Sequence, residues 1–258
     1  MYACIDVGGT SIKVAVADKD GNLFRKGRVE VADTFEELAN NIFNWINEVK
    51  KEYIIEGIAI SSPGAVNVKT GIVGGSSALP CIHGPNWKKV FKNRFNLPVS
   101  IENDANCAAL GEAYAGVGNG AKEFVAVTLG TGVGSGIIVD GKIVNGVNFA
   151  GGECGHMVIV VDGEQCSCGR KGCWEAYASA TALIRQTKKA MEEYPDSYMH
   201  QIAEAEGKVS GRTAFDAMRK GDIAGIKVVD QYIKYVACGL INLVNALQPE
   251  IICIGGGI

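Results

Sequence analysis

Apolar and polar positions along the chain fall into two periods, one of strands and one of helices. Tyr2 to Asp6 is a short apolar run, Gly8-Gly9-Thr10 interrupts it, and a second run spans Ile12 to Ala17 before Asp20-Gly21. That order predicts strand, glycine turn, strand and hairpin turn. Phe35, Leu38, Ile42, Ile46 and Val49 then recur at helical spacing, and Thr34 with Glu37 forms a capping box at the head of that helix. Gly57 to Ser61 reads as a buried strand that runs into Ser62-Pro63-Gly64. Gly74 to Pro85 has no period and reads as irregular. Val99 to Glu102 is a further strand, followed at once by Asn103-Asp104 and an alanine-rich helix over Ala105 to Ala115.

Phe124 to Val144 repeats the opening arrangement: strand, Gly130-Thr131-Gly132 turn, strand, Asp140-Gly141 turn, strand. Two such units about half a chain apart indicate an internal duplication and two related α/β lobes, 1–117 and 118–258. Neither glycine turn runs into a helix, so neither is a Walker A loop or a dinucleotide fingerprint. A phosphate can lie against the N–H groups of such a turn while Asp6 holds Mg²⁺ or its water shell. Two turns facing each other across a cleft would grip a polyphosphate from both sides. Further on, the pattern predicts helices over Ala176 to Tyr194, Ser210 to Lys220 and Val228 to Leu247. A buried strand over Ile251 to Ile254 and a third glycine turn, Gly255-Gly256-Gly257, complete the sequence.

The polar stretch from Glu153 to Glu175 changes the picture. It holds His156, Cys166, Cys168 and Cys173, which is a full set of ligands for a closed, tetrahedral, structural Zn²⁺. Gly163, Gly169 and Gly172 supply tight turns between them. The other reading, ordinary buried thiols, does not suit so polar and turn-rich a segment. A zinc ion that fixes His156 and Cys173 also fixes the two acids bracketing the set, Glu153 and Glu175. His83 and His200 have no such company and read as loop or helix-flanking residues. Asp104 sits between a strand and a helix, where a helix cap and a general base at the mouth of a cleft are both open readings.

Composition narrows the class. A length of 258 residues, 47% hydrophobic and 21% charged, describes an ordinary globular protein of one large or two medium domains. A formal net charge of −3 gives no electrostatic case for nucleic acid. Asp6 interrupts the first apolar run, and no stretch reaches the roughly 18 apolar residues of a membrane span. Nine cysteines, an odd number, without an export signal point to a reducing, cytoplasmic compartment.

These pieces together resemble the ROK family (repressors, open reading frames and kinases). Its first phosphate motif is matched by the segment from Ile5 to Asp18, its second by Leu129 to Gly136, and its adenosine motif by Gly255 to Gly257. The segment Glu102 to Glu112 is similar to its catalytic stretch, and Cys166 to Leu183 to its zinc and sugar signature, with His156 ten residues ahead of the first cysteine. The resemblance implies an actin-like (ribonuclease H-like) sugar kinase fold with a zinc loop. It implies sugar contacts from Gly64, Asn103, Asp104, Glu153, His156 and Glu175, with Asp104 as the base that deprotonates the C6 hydroxyl. It also implies ATP and Mg²⁺ at Asp6, Gly8, Gly9, Thr10, Lys13, Gly130, Thr131, Gly132, Gly255, Gly256 and Gly257, structural Zn²⁺ at His156, Cys166, Cys168 and Cys173, and a homodimer.

Family members that repress transcription carry a helix-turn-helix arm ahead of the first phosphate motif. This sequence starts five residues before Asp6, so a kinase is expected and a repressor is not. Members also continue past the glycine triplet with a helix that returns to the first lobe, so the expectation is of either a truncated chain lacking that helix or an incomplete nucleotide pocket. The wording of the zinc segment is most similar to glucokinase-like members. Ala65, where N-acetylmannosamine kinases of the animal type have Arg, favours an unsubstituted hexose; N-acetylmannosamine, fructose and a sensor role are the alternatives.

Overall fold

A computed structural model describes residues 1–75 and 79–258, which fall into two units: 1–119 with 143–151, and 120–142 with 152–258. The second boundary pair puts Ile143–Gly151 with the first unit.

The first unit is organised by β1 (Tyr2–Val7), whose alternate residues Ala3, Ile5 and Val7 are buried. Strand β2 (Ile12–Ala17) returns antiparallel to it, and β3 (Leu23–Val29), exposed along most of its length, closes the edge. Strands β4 (Gly57–Ser62) and β7 (Val99–Asn103) lie parallel to β1, giving the order β3-β2-β1-β4-β7. The parallel register lines up Asp6 with Ser61, and Ser61 with Glu102, at the carboxyl ends of three neighbouring strands. That edge is where open α/β sheets collect ligand-binding residues.

Helix α1 (Phe35–Val49) buries the expected face, Phe35, Leu38, Ile42, Ile46 and Val49. Thr34 caps it, its hydroxyl accepting the Glu37 N–H at 3.3 Å. Three short elements in or just before the segment read as irregular were missed. Strands β5 (Ala65–Asn67) and β6 (Ile72–Gly74) form a hairpin, and a single 3₁₀ turn follows at Pro80–Ile82. Residues 76–78 of that segment lie outside the described residues. Helix α2 (Trp87–Phe95) was also missed; its buried Trp87, Phe91 and Phe95 sit four residues apart and pack with Phe35 and Phe43. Helix α3 (Asp104–Ala115) follows β7 directly.

The second unit repeats the topology. Strands β8 (Phe124–Leu129), β9 (Val133–Val139) and β10 (Lys142–Ile143) form a meander, and β11 (Ile251–Gly256) lies parallel to β8. The order β10-β9-β8-β11 reproduces β3-β2-β1-β4. The duplication expected from the glycine turns is therefore present in the strand pairing itself. The third glycine turn is not a turn: Gly255 and Gly256 continue β11, and Gly256, at φ 126°, faces the Leu129 carbonyl too closely for a Cβ.

The helix expected over Ala176 to Tyr194 is two helices, α4 (Glu175–Ala178) and α5 (Ala180–Glu193). Ser179 makes the break, taking an extended conformation and capping α5 through the Ala182 N–H at 3.1 Å. Helix α6 (Met199–Glu206), not expected, begins beside His200, and α7 (Thr213–Arg219) is shorter than its pattern suggested. Helix α8 (Ile223–Leu247) starts five residues early because Asp222 caps it, accepting the Gly225 N–H at 2.6 Å. Trp174 is fully buried against α8, its indole N–H donating to the Tyr235 carbonyl at 2.9 Å. Gly239 makes room for it, since a Cβ there would stand 2.0 Å from the ring. Among the described residues, no helix is long and apolar enough to cross a membrane.

Candidate active site and metal centre

In the first unit the expected residues gather at the carboxyl ends of β1, β4 and β7. Asp6 Oδ1 accepts the Ser61 hydroxyl at 2.9 Å, and Lys13 Nζ stands 3.7 Å from Oδ2. Ser61, which the sequence reading passed over, is thus what orients the acid. The turn from Gly8 to Ser11 closes on itself, Gly8 N–H donating to the Ser11 carbonyl at 3.2 Å, with Gly9 and Thr10 exposed.

Asn103 and Asp104 divide two tasks between them. Asn103 caps α3, its Oδ1 accepting the N–H groups of Ala105 and Asn106 at 2.9 and 3.1 Å. Its Nδ2 donates to the Gly64 carbonyl at 3.0 Å, joining the β4 loop to the head of α3. Asp104 is therefore the first residue of the helix and not its cap. Its carboxylate takes the Ala105 N–H at 2.9 Å. Crowding by protein atoms pushes the Asp104 carboxyl above its ordinary value, the Ala105 N–H opposes this, and the negative charge of Asp6 adds to the rise. A carboxylate held in this way has an increased affinity for a proton and keeps solvent access, two properties a general base needs.

In the second unit the four zinc candidates converge: one ligand atom from each of His156, Cys166, Cys168 and Cys173 lies within 4.8 Å of every other. Cys166 Sγ is 3.5 Å from His156 Nδ1, and Cys168 Sγ is 3.6 Å from Cys173 Sγ. Zinc–ligand bonds of about 2.3 Å to sulfur and 2.1 Å to nitrogen give tetrahedron edges of roughly 3.8 and 3.6 Å. The set therefore fits the ion, with Nδ1 as the histidine ligand.

Burial and the adjoining thiols push Cys173 up to about 12, whereas the Arg170 N–H lowers Cys168. Three thiols so close cannot all ionise without a cation among them, which a zinc ion supplies. Local backbone builds the cluster: Gly169 N–H bonds the Cys166 carbonyl at 3.1 Å, and Cys166 N–H bonds the Arg170 carbonyl at 2.8 Å. Gly172 must be glycine, with φ 79° and the Val160 carbonyl where a Cβ would go. Gly163 is glycine for space rather than for φ, because the Tyr177 hydroxyl occupies its Cβ position and accepts the Glu164 N–H at 2.7 Å.

Glu153 opens the short 3₁₀ turn that carries His156 and is exposed. Glu175 opens α4 and already has partners: Oε2 accepts the Val133 N–H at 3.0 Å, and Oε1 accepts the Ser167 hydroxyl at 3.2 Å. Gly132 lies against the same carboxylate, a Cβ there being 2.2 Å from Oε2. Of the glycine triplet, Gly257 N–H donates to the Leu129 carbonyl at 2.9 Å, beside the second glycine turn.

A family model described as the ROK family matches residues 2–258. The chain is 34% identical over 256 residues to a glucokinase of Thermotoga maritima, covering 98% of this chain and 81% of that protein. It is 35% identical over 272 residues to a glucokinase of Halalkalibacterium halodurans, covering 100% of this chain and 80% of that one. Among solved structures, a ROK family glucokinase from Streptomyces griseus in complex with glucose and AMPPNP superposes with a TM-score of 0.82 at 30% identity, over 99% of this chain and 83% of that one.

Proposed function

The chain belongs to the ROK family, and from that premise we propose that it transfers the γ-phosphoryl group of ATP to the C6 hydroxyl of an unsubstituted hexose, glucose first. The observation that carries this reading is the division of labour at the head of α3. Asn103 takes over the cap, and Asp104 is left with a raised carboxyl beside Asp6. Identity of about 35% to glucokinases supports glucose as the acceptor.

In this reading the sugar hydroxyls are held by Gly64, Asn103, Asp104, Glu153, His156 and Glu175. Zinc on Nδ1 of His156 leaves Nε2 for the sugar. Asp104 takes the C6 hydroxyl proton as that oxygen bonds to the γ-phosphorus, and the bond from that phosphorus to the β,γ-bridging oxygen breaks to release ADP. The glycine turns at Gly8-Gly9-Thr10 and Gly130-Thr131-Gly132, with Lys13, hold the phosphate chain, and Gly255 to Gly257 face the adenosine. Asp6, half-exposed, with one oxygen on Ser61 and the other 3.7 Å from Lys13 Nζ, suits Mg²⁺ or its water shell. Bound there, the ion would neutralise charge on the transferring phosphates. A homodimer in the cytoplasm completes the reading.

ADP release measured across a panel of hexoses tests it. Glucose should give the highest kcat/KM, because a site built to pair hydroxyls rejects an analogue that leaves its acceptors unpaired. Higher kcat/KM for N-acetylmannosamine or fructose overturns the choice of sugar and leaves the kinase. No stimulation by any sugar overturns the kinase.

A further inference from the structure

The turn Gly130-Thr131-Gly132 has three carbonyl oxygens, and each accepts a hydrogen bond from within its own unit. Gly132 O accepts the Gly130 N–H at 3.0 Å, Gly130 O accepts the Ala180 N–H at 2.8 Å, and Thr131 O accepts the Thr181 hydroxyl at 2.8 Å. A peptide carbonyl is the negative end of its dipole. A turn that receives an anion must therefore direct N–H groups at it and keep carbonyls away.

The break at Ser179 makes this possible. With Ser179 capping α5 through Ala182, the Ala180 N–H is one of the first-turn donors a helix cannot use internally, and it goes to Gly130. Thr181, one residue later, reaches Thr131. Glu175 grips the far side of the turn through the Val133 N–H, and the same carboxylate reaches into the cysteine loop through Ser167. Residues 175–181 thus join the metal cluster to the glycine turn through four side-chain and backbone bonds.

We propose that Thr181 is a positioning residue of the nucleotide site. By holding the Thr131 carbonyl it keeps the Thr131 and Gly132 N–H groups of the turn available to the phosphate chain of a nucleoside triphosphate. The inference rests on the reading of this turn as a phosphate site. It assigns to Thr181 an effect on nucleotide affinity with none on the sugar.

The test uses calorimetry on the full chain loaded with zinc, titrated separately with AMPPNP and with glucose. Thr181→Val keeps the shape and removes the donor. It should raise the Kd for AMPPNP about fivefold, as the loss of one hydrogen bond would, with the Kd for glucose changed less than twofold. Thr181→Ser should restore nucleotide affinity. Unchanged affinity for AMPPNP in Thr181→Val overturns the proposal, and so does equal weakening of both ligands together with earlier melting, which marks a merely structural bond. Sugar-dependent ADP release by the wild-type chain is measured alongside. If the wild type binds AMPPNP and turns over sugar but Thr181→Val behaves like it, only the tie is wrong. If the wild type binds no nucleotide, the kinase reading falls and the role of Thr181 with it.

Discussion

The two glycine–threonine turns occupy the same place in two sheets of the same strand order, and they differ in what surrounds them. The turn after β1 closes on its own backbone and is flanked by a charged pair, Asp6 opposite Lys13. At the corresponding register in the second unit stand Thr128 and Gly134, which carry no charge. That turn also has a bond within its own backbone, Gly130 N–H to Gly132 O, and is in addition braced from outside by Glu175, Ala180 and Thr181. One copy of the duplicated unit carries ionic chemistry. The other carries mechanical support tied to the Cys/His cluster. Substitutions in the first unit should therefore act on turnover, and substitutions in the second on ligand binding and stability.

The largest effect is expected at Asp104. Asp104→Asn should cut kcat by about 10²–10⁴-fold, the usual contribution of a general base, while glucose still binds. Because the folded-state carboxyl is raised, its contribution to stability is complete below the ordinary value of about 4 and is lost as pH rises through the folded value. At neutral pH the ionised group is thus a burden, and Asp104→Asn should melt no earlier than wild type. For the same reason the acid limb of the kcat/KM profile should lie above the ordinary carboxylate range. Earlier melting with turnover per folded molecule intact would make Asp104 a structural residue only.

Next comes the metal. Purified without added zinc, the protein should carry one zinc per chain by elemental analysis. Cys173→Ser should lose it along with at least tenfold in glucose affinity, because His156 and Glu175 are placed by the same loop. Limited proteolysis should then cut within 152–178 before it cuts the first unit. A metal-free sample that stays folded and binds glucose at wild-type affinity would break the contrast between the units.

Much of this was legible in the residues, and the exceptions have physical causes. The α1 face, the paired glycine turns and the four zinc candidates each announce themselves by spacing. Helix α2 was hidden because five polar residues, Lys88, Lys89, Lys92, Asn93 and Arg94, outnumber its four apolar ones, although Trp87, Phe91 and Phe95 keep the helical step. The split at Ser179 was invisible because Ala, Tyr, Ala and Thr are compatible with a continuous helix, and the bonds from Ala180 and Thr181 to the glycine turn that accompany it are tertiary. Glu175 could be nominated from its place after Cys173. Its bond to Val133, 42 residues away, depends on tertiary pairing that no local pattern carries. The same holds for Ser61, which is 55 residues from Asp6.

Smaller effects sharpen the division. Gly239→Ala forces a Cβ against the Trp174 ring and should destabilise the second unit by about 1–3 kcal/mol, the usual cost of overpacking, read as a lower melting temperature with kcat preserved per folded molecule. Lys13→Met removes one member of an exposed pair, and its stability change should stay within about 0.5 kcal/mol. Its KM for ATP should rise several-fold. A stability loss larger than the kinetic one would put the charge of the first unit in a structural role.

The most direct measurement is the position of the transferred phosphate. Phosphorus NMR of the product formed from glucose, ATP and Mg²⁺ should show a phosphate ester coupled to the two protons on C6, accumulating with ADP in equal amount and formed by Asp104→Asn about 10²–10⁴-fold more slowly. A phosphate on any other carbon, or ADP release without a phosphorylated sugar, would contradict the account.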